Sequence, residues 1–177
     1  MLVKDGYLKQ DNLLVKSGQK NHQIDFDSLI HHKMEILNSA AETFFNHASE
    51  EIKILYQDFC KENDYWLDEY SLFLTLKEIH NGKSWNHWSD PLRKRENTAL
   101  KKINDEYFSE IEKTKIIQFL FHCQWAKLKR YANESGVRII GDLPLYVTHD
   151  SAEVWANPEL FSLNNNGDMT FVSGVPP

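Results

Sequence analysis

Between Val137 and Trp155 the chain reads V-R-I-I-G-D-L-P-L-Y-V-T-H-D-S-A-E-V-W, and this stretch restricts the possible folds more than any other. Val137, Ile139 and Ile140 form a β-branched apolar run of the kind found in buried strands. Gly141 and Asp142 close the run, and Pro144 bars its regular continuation. A long amphipathic helix precedes it, with Ser135-Gly136 as the stop. Helix, stop, short apolar strand and a carboxylate at the strand's C-terminal end is the order of elements in a β/α barrel or an open α/β sheet. Sites in those folds are built where parallel strands end. Asp142 is therefore the first candidate site residue.

Upstream, the chain divides into an arm and a helical block. Residues 1–25 show no sustained period and are expected to form a poorly packed arm, with Leu13-Leu14-Val15 as a possible short strand. From Phe26 the pattern turns helical. Ile30, Met34, Leu37, Ala41, Phe44 and Phe45 recur at three- and four-residue steps, and Asp25 or Asp27 can cap the start. Ser49 opens a second helix through Ile52, Leu55, Tyr56 and Phe59. A third runs from Asp64 through Trp66, Tyr70, Phe73, Leu74 and Lys77 to Asn81-Gly82. The loop 82–90 carries Trp85 and Trp88, which are either lids on a core or a binding surface. Asp90-Pro91 starts a weaker helix. The last and longest runs from near Ser109 to Ala132, apolar almost all round and so buried on more than one side.

The expected organisation is a helical subdomain over 26–135 and an α/β segment over 136–177. Within the latter, Asp150-Ser151 and Asn157-Pro158 can each cap a short helix. Leu163, the Asn164–Asp168 turn and Thr170-Phe171-Val172 read as a hairpin with Gly167 at positive φ. The sequence stops on Val175-Pro176-Pro177 straight after a strand, with no closing helix, which is the ending expected of a cut domain.

Bulk properties exclude several classes. A chain of 177 residues with 41% hydrophobic and 26% charged content is ordinary for one globular domain. The net charge of −6, with no basic cluster beyond Leu92–Arg95, argues against nucleic-acid binding. No membrane span or signal peptide is evident, and Cys60 and Cys123 lie inside helical patterns, so a reducing, cytoplasmic setting is expected. The 22 aromatics (10 Phe, 7 Tyr, 5 Trp) pack cores but also stack on sugar rings.

Asp142 and Asp150 flank one strand exit. Glycosidic chemistry needs two carboxyl groups, one to donate a proton and one to attack or stabilise an oxocarbenium-like centre. Asp150 also reads as a helix cap, and Asp142 as a partner of loop backbone. His31-His32 and the pair His80 and His87 lack metal-ligand spacing. Neither cysteine has a basic neighbour or helix N-terminus to favour thiolate. The residues alone do not fix the reaction.

The segment I-I-G-D-L-P-L-Y-V-T-H-D-S-A-E-V-W-A-N-P-E-L-F, followed by G-V-P-P, closely resembles the 4-α-glucanotransferase family (amylomaltase, or disproportionating enzyme). So do N-D-Y-W-L-D-E-Y-S-L-F-L-T-L-K, W-N-H-W and F-H-C-Q-W-A-K-L-K-R-Y-A-N-E-S-G-V, so that the likeness covers about residue 26 to the end. Leu145, Glu153 and Ser173 stand where Ile, Asp and Ala are expected. The resemblance implies a (β/α)8 TIM barrel of the α-amylase clan with large helical insertions. It implies retaining transfer of α-1,4-glucan segments to a sugar 4-hydroxyl, on glucans and maltooligosaccharides, with no organic cofactor. It also implies that Asp142 is an active-site residue that supports substrate and site geometry without being the nucleophile. Related amylases carry His five residues later, where this chain has Val147.

By the same resemblance, Gly174, Val175, Pro176 and Pro177 begin a mobile loop bordering the sugar cleft. The nucleophilic aspartate, the acid/base glutamate and a third carboxylate are expected on strands beyond Pro177, and the first barrel strand before Met1. A barrel needs about 250 residues before insertions. The fold class expected of this chain is thus α/β: a partial barrel, mostly helical insertion plus one or two barrel strands, inactive by itself. The alternative is a non-catalytic helical module that binds glucan or protein through Trp85, Trp88 and an exposed sheet edge.

Overall fold

The computed structural model of the chain describes residues 2–10 and 25–171. Seven α-helices follow in order: α1 (Phe26–His47), α2 (Glu50–Glu62), α3 (Asp64–Ile79), α4 (Asp90–Arg93), α5 (Asn97–Glu106), α6 (Phe108–Glu134) and α7 (Ala152–Ala156). Among the described residues, short 3-10 turns also lie at Trp85–His87 and Pro158–Leu160. Contacts divide the chain into two units, one of residues up to Glu62 plus Lys113–Val137, the other of Asn63–Glu112 plus Arg138 onward.

The first unit is built from α1, α2 and most of α6. Asp25 caps α1 by accepting from the Ser28 amide at 3.2 Å, satisfying a donor that the helix start leaves unpaired. Ala40 and Ala41 are fully buried on α1. Around them Phe44, Tyr56, Phe59 and Phe119 pack with ring centroids 5.6–5.7 Å apart, mostly edge to face. Of the arm expected to be poorly packed, residues 2–10 are described. They form turns in which Leu8 is buried and Tyr7 meets Phe44 at 5.4 Å. The strand proposed at Leu13–Val15 and the Val172 end of the hairpin lie outside the described residues.

The second unit centres on Trp155, which has no exposed surface. Leu72, Phe73 and Leu76 of α3, Trp85 and Trp88 of the following loop, Leu92 of α4, and Ile111 and Val154 share its core. α7 is short, and its cap is Ser151, whose hydroxyl accepts from the Val154 amide at 3.4 Å. The turn at Asn164–Asp168 forms as expected. Asn164 donates to Asp168 O at 2.9 Å, Gly167 has φ +81°, and Leu163 and Met169 make an antiparallel bridge.

The strand expected at Val137–Ile140 is not present. Among the described residues none lies in a strand, and Arg138–Thr148 belongs to no helix. Ile140 is 91% exposed, with Leu143, Leu145 and Tyr146 open beside it. The reason is physical. β-Branched residues favour a strand only where neighbouring strands supply hydrogen bonds and a face to pack on. The one or two barrel strands expected of this chain are not seen among the described residues, where this segment is an apolar ribbon without strand pairing and the regular structure is helical.

Candidate functional site

Asp142 sits in the middle of that ribbon, exposed. Its Oδ1 accepts from the Leu143 amide at 2.9 Å, a turn-type bond to the next residue. It is eight residues from a tightly knit cluster at His149 and Asp150. Gly174–Pro177 lie outside the described residues.

The cluster grows from the end of α3. Lys77 reaches past the helix stop and donates to Gly82 O (2.6 Å), Lys83 O (3.1 Å) and Asp150 Oδ2 (2.5 Å). The other carboxylate oxygen of Asp150 accepts from the Trp85 amide at 3.3 Å. Trp85 Nε1 donates to His149 O at 2.8 Å, and the His149 ring lies 5.3 Å from the Trp85 ring. His149 Nε2 lies 2.7 Å from Gly167 O, so the Asn164–Asp168 turn is tied in as well. Gly167 is buried against Trp85, where a Cβ would come within 2.7 Å of the indole. Asn86 donates to Asp168 at 2.8 Å. That bond, with a second from Asn164, holds the Asp168 carboxyl below the usual carboxylate range.

Asp150 is thus neither the helix cap nor a free acid. Its two oxygens are committed, and Ser151 does the capping. Trp85 and Trp88 are 2% and 4% exposed, so they close the core and offer no stacking surface. Trp88 Nε1 donates to Lys83 O and Trp155 Nε1 to Leu92 O, which satisfies each buried indole. Arg95 lies 4.2 Å over the Trp155 ring and pairs with Glu69 at 2.6 Å. Lys77 was legible only as one member of the α3 pattern; its main partner lies 73 residues away.

Between α3 and α7 runs an open groove of about 610 Å³. Tyr65, Trp66 and Tyr70 line one side, and Ala152 and Ala156 the other. The described residues hold no group of three or more His, Cys, Asp or Glu that could bind a metal. Cys60 and Cys123 form no disulfide, and burial pushes the Cys123 thiol up, away from nucleophilic character. No helix among the described residues is long and apolar enough to cross a membrane.

The family model described as 4-alpha-glucanotransferase matches residues 1–177. The chain belongs to the 4-alpha-glucanotransferase family. The 4-alpha-glucanotransferase of Synechocystis is 38% identical over 177 residues, covering 99% of this chain and 35% of that protein. That of Thermus thermophilus is 39% identical, covering 99% and 34%. In structure the chain is similar to the amylomaltase from Streptococcus agalactiae solved in complex with acarbose, with a TM-score of 0.85 and 32% identity. That match covers 94% of this chain and 33% of the amylomaltase. The chain therefore spans about a third of the length of the 4-alpha-glucanotransferases it matches.

Proposed function

We propose that the chain supplies one part of an enzyme that cleaves α-1,4-glucan and passes the glucanosyl group to another sugar's 4-hydroxyl with retention. In this reading residues 26–135 are the helical insertion subdomain, residues 136–177 an early barrel strand with its following loop, and residues 1–25 an arm. Asp142 supports the geometry of the active site. The nucleophile and the acid/base group, which retaining transfer requires as a pair, come from later strands. Gly174–Pro177 border the sugar cleft, and maltooligosaccharides serve as donor and acceptor without an organic cofactor. The isolated chain does not catalyse the transfer.

The match of the family model across residues 1–177 carries this reading. The exposed ribbon supports it: its apolar residues suit a strand whose neighbours come from elsewhere. A binding module acting through Trp85 and Trp88 is disfavoured, since both indoles are buried.

The test is a chimaera in which this chain replaces the corresponding third of the Synechocystis relative. It is expected to release glucose from maltotriose, while the chain alone releases none. Asp142→Asn in the chimaera is expected to cut the rate about tenfold or more, the range for groups that orient a site. An active isolated chain, or an unchanged Asp142→Asn rate, contradicts the proposal.

A further inference from the structure

We infer that Lys77 is a positioning residue for the transfer reaction. With Trp85 it pins His149 and Asp150, where the segment carrying Asp142 ends, and so holds that carboxylate in place against the glucan. The inference rests on the proposed role of Asp142; the pinning contacts all lie within one unit of the chain. Across Arg138–Thr148 the only hydrogen bond among the described residues runs from the Leu143 amide to Asp142 itself. The next two residues take four. Lys77 Nζ and the Trp85 amide each donate to one oxygen of Asp150, the Trp85 indole donates to His149 O, and His149 Nε2 donates to Gly167 O. The grip comes from three places: the end of α3, the loop after it and the Asn164–Asp168 turn. Lys77 is itself immobilised, because its ammonium has three protons and meets three acceptors in Gly82 O, Lys83 O and Asp150.

This grip lies at a boundary, outside the core. The Lys77 and Asp150 side chains keep 20% and 31% of their surface, while the buried mass of the unit gathers around Trp155. What the grip fixes is where the open segment stops. Asp142 and His149 are seven residues apart, at most about 25 Å of chain. Between them Pro144 fixes one backbone angle and biases Leu143 towards extended backbone. A strand end frays unless the chain beyond it is tied down. A misplacement of about 1 Å at a reacting centre can cost about a hundredfold in rate. A tie at His149–Asp150 therefore acts on the transition state through Asp142, with little effect on how tightly the sugar is held.

Two measurements test this. In the chain itself, exchange of the Trp85 indole N–H, followed by NMR, is expected to accelerate about tenfold or more on Lys77→Met, while the Trp155 indole, bonded to Leu92 O, keeps its rate. In the chimaera, Lys77→Met is expected to lower kcat on maltotriose about tenfold with KM changed less than about twofold. The isosteric Asp150→Asn is expected to act in the same direction and takes the place of Lys77→Met if circular dichroism shows that variant unfolded. A double variant decides the route. With Asp142→Asn already present, Lys77→Met is expected to cost less than about twofold more. Unchanged Trp85 exchange overturns the inference, and so does an unchanged kcat. A full further tenfold loss in the Asp142→Asn background also overturns it, since a general loosening of the fold would give that result. An inactive chimaera, or one indifferent to Asp142→Asn, removes the proposed function and this inference with it. An active, Asp142-dependent chimaera indifferent to Lys77→Met removes the inference alone.

Discussion

Residues 138–147 and 149–155 are neighbours in sequence and both rich in apolar side chains, yet they end in opposite environments. Val154 and Trp155 disappear into a core, and Ile140, Leu143 and Leu145 stand in solvent. The difference lies in where the partners come from. Trp155 finds Phe73, Trp88 and Leu92 within its own unit, and its indole N–H has a carbonyl to meet. The ribbon has no adjacent strand to pair with among the described residues. An apolar segment that packs on helices can complete itself locally. One that must pair along a sheet cannot.

Substitutions sharpen this contrast. Trp155→Ala is expected to lower the unfolding free energy by about 3–5 kcal/mol, the usual cost of emptying a large aromatic site. Ile140→Ala should change it by no more than about 0.5 kcal/mol, as for an open surface position. Urea melts of both variants measure the pair, and comparable losses would show that the ribbon is buried after all. Gly167→Ala is expected to cost about 1–3 kcal/mol, because it combines a positive φ with a Cβ driven into the Trp85 ring. Thermal melts followed by tryptophan fluorescence check it, with the emission shifting as Trp85 loosens.

The helical architecture was legible in the sequence because its signals are local. Asp25 and Ser49 mark helix starts, and their side chains accept from Ser28 and Ile52 as such residues should. The turn around Gly167 announced itself through Asn-Gly-Asp. Asp142 was found as the end of a strand pattern, but the pattern is a statement about neighbours as much as about the residues themselves. Trp85 and Trp88 could be read two ways, because burial depends on α3 and α7 together. The Lys77–Asp150 clamp joins residues far apart in sequence and carries no motif. Its only trace was a lysine in an otherwise apolar helical pattern.

The clamp supplies a smaller test of the same comparison. Lys77→Met is expected to cost about 1–3 kcal/mol, since it strips a partly buried carboxylate and two carbonyls of their donor. Lys53→Met, which breaks an exposed pair with Glu50 on α2, should cost about 0.5 kcal/mol or less. Equal effects in denaturant melts would argue that the clamp does not hold the His149–Asp150 corner.

The smallest effect concerns pH. Asp168 has a depressed folded pKa, held down first by the Asn86 hydrogen bond and then by the Asn164 bond. Its contribution to stability is therefore full above the ordinary aspartate value of about 3.9 and is lost as pH falls through the folded value. Asp168→Asn should flatten the acid side of the stability curve below about pH 4. Melting temperatures taken from neutral pH downward would show it, and an unchanged slope would remove Asp168 from the account.

Amide hydrogen exchange across Ile139–Val147 reaches the main claim most directly. In the chain alone these amides should exchange as fast as an unstructured peptide, while those of Leu72–Leu76 on α3 are protected. In the chimaera with the Synechocystis relative, the amides of Ile139 and Ile140 should become protected as well. Strong protection of the ribbon in the chain by itself, or none in an active chimaera, would contradict the view that this segment is a strand waiting for neighbours from the rest of the enzyme.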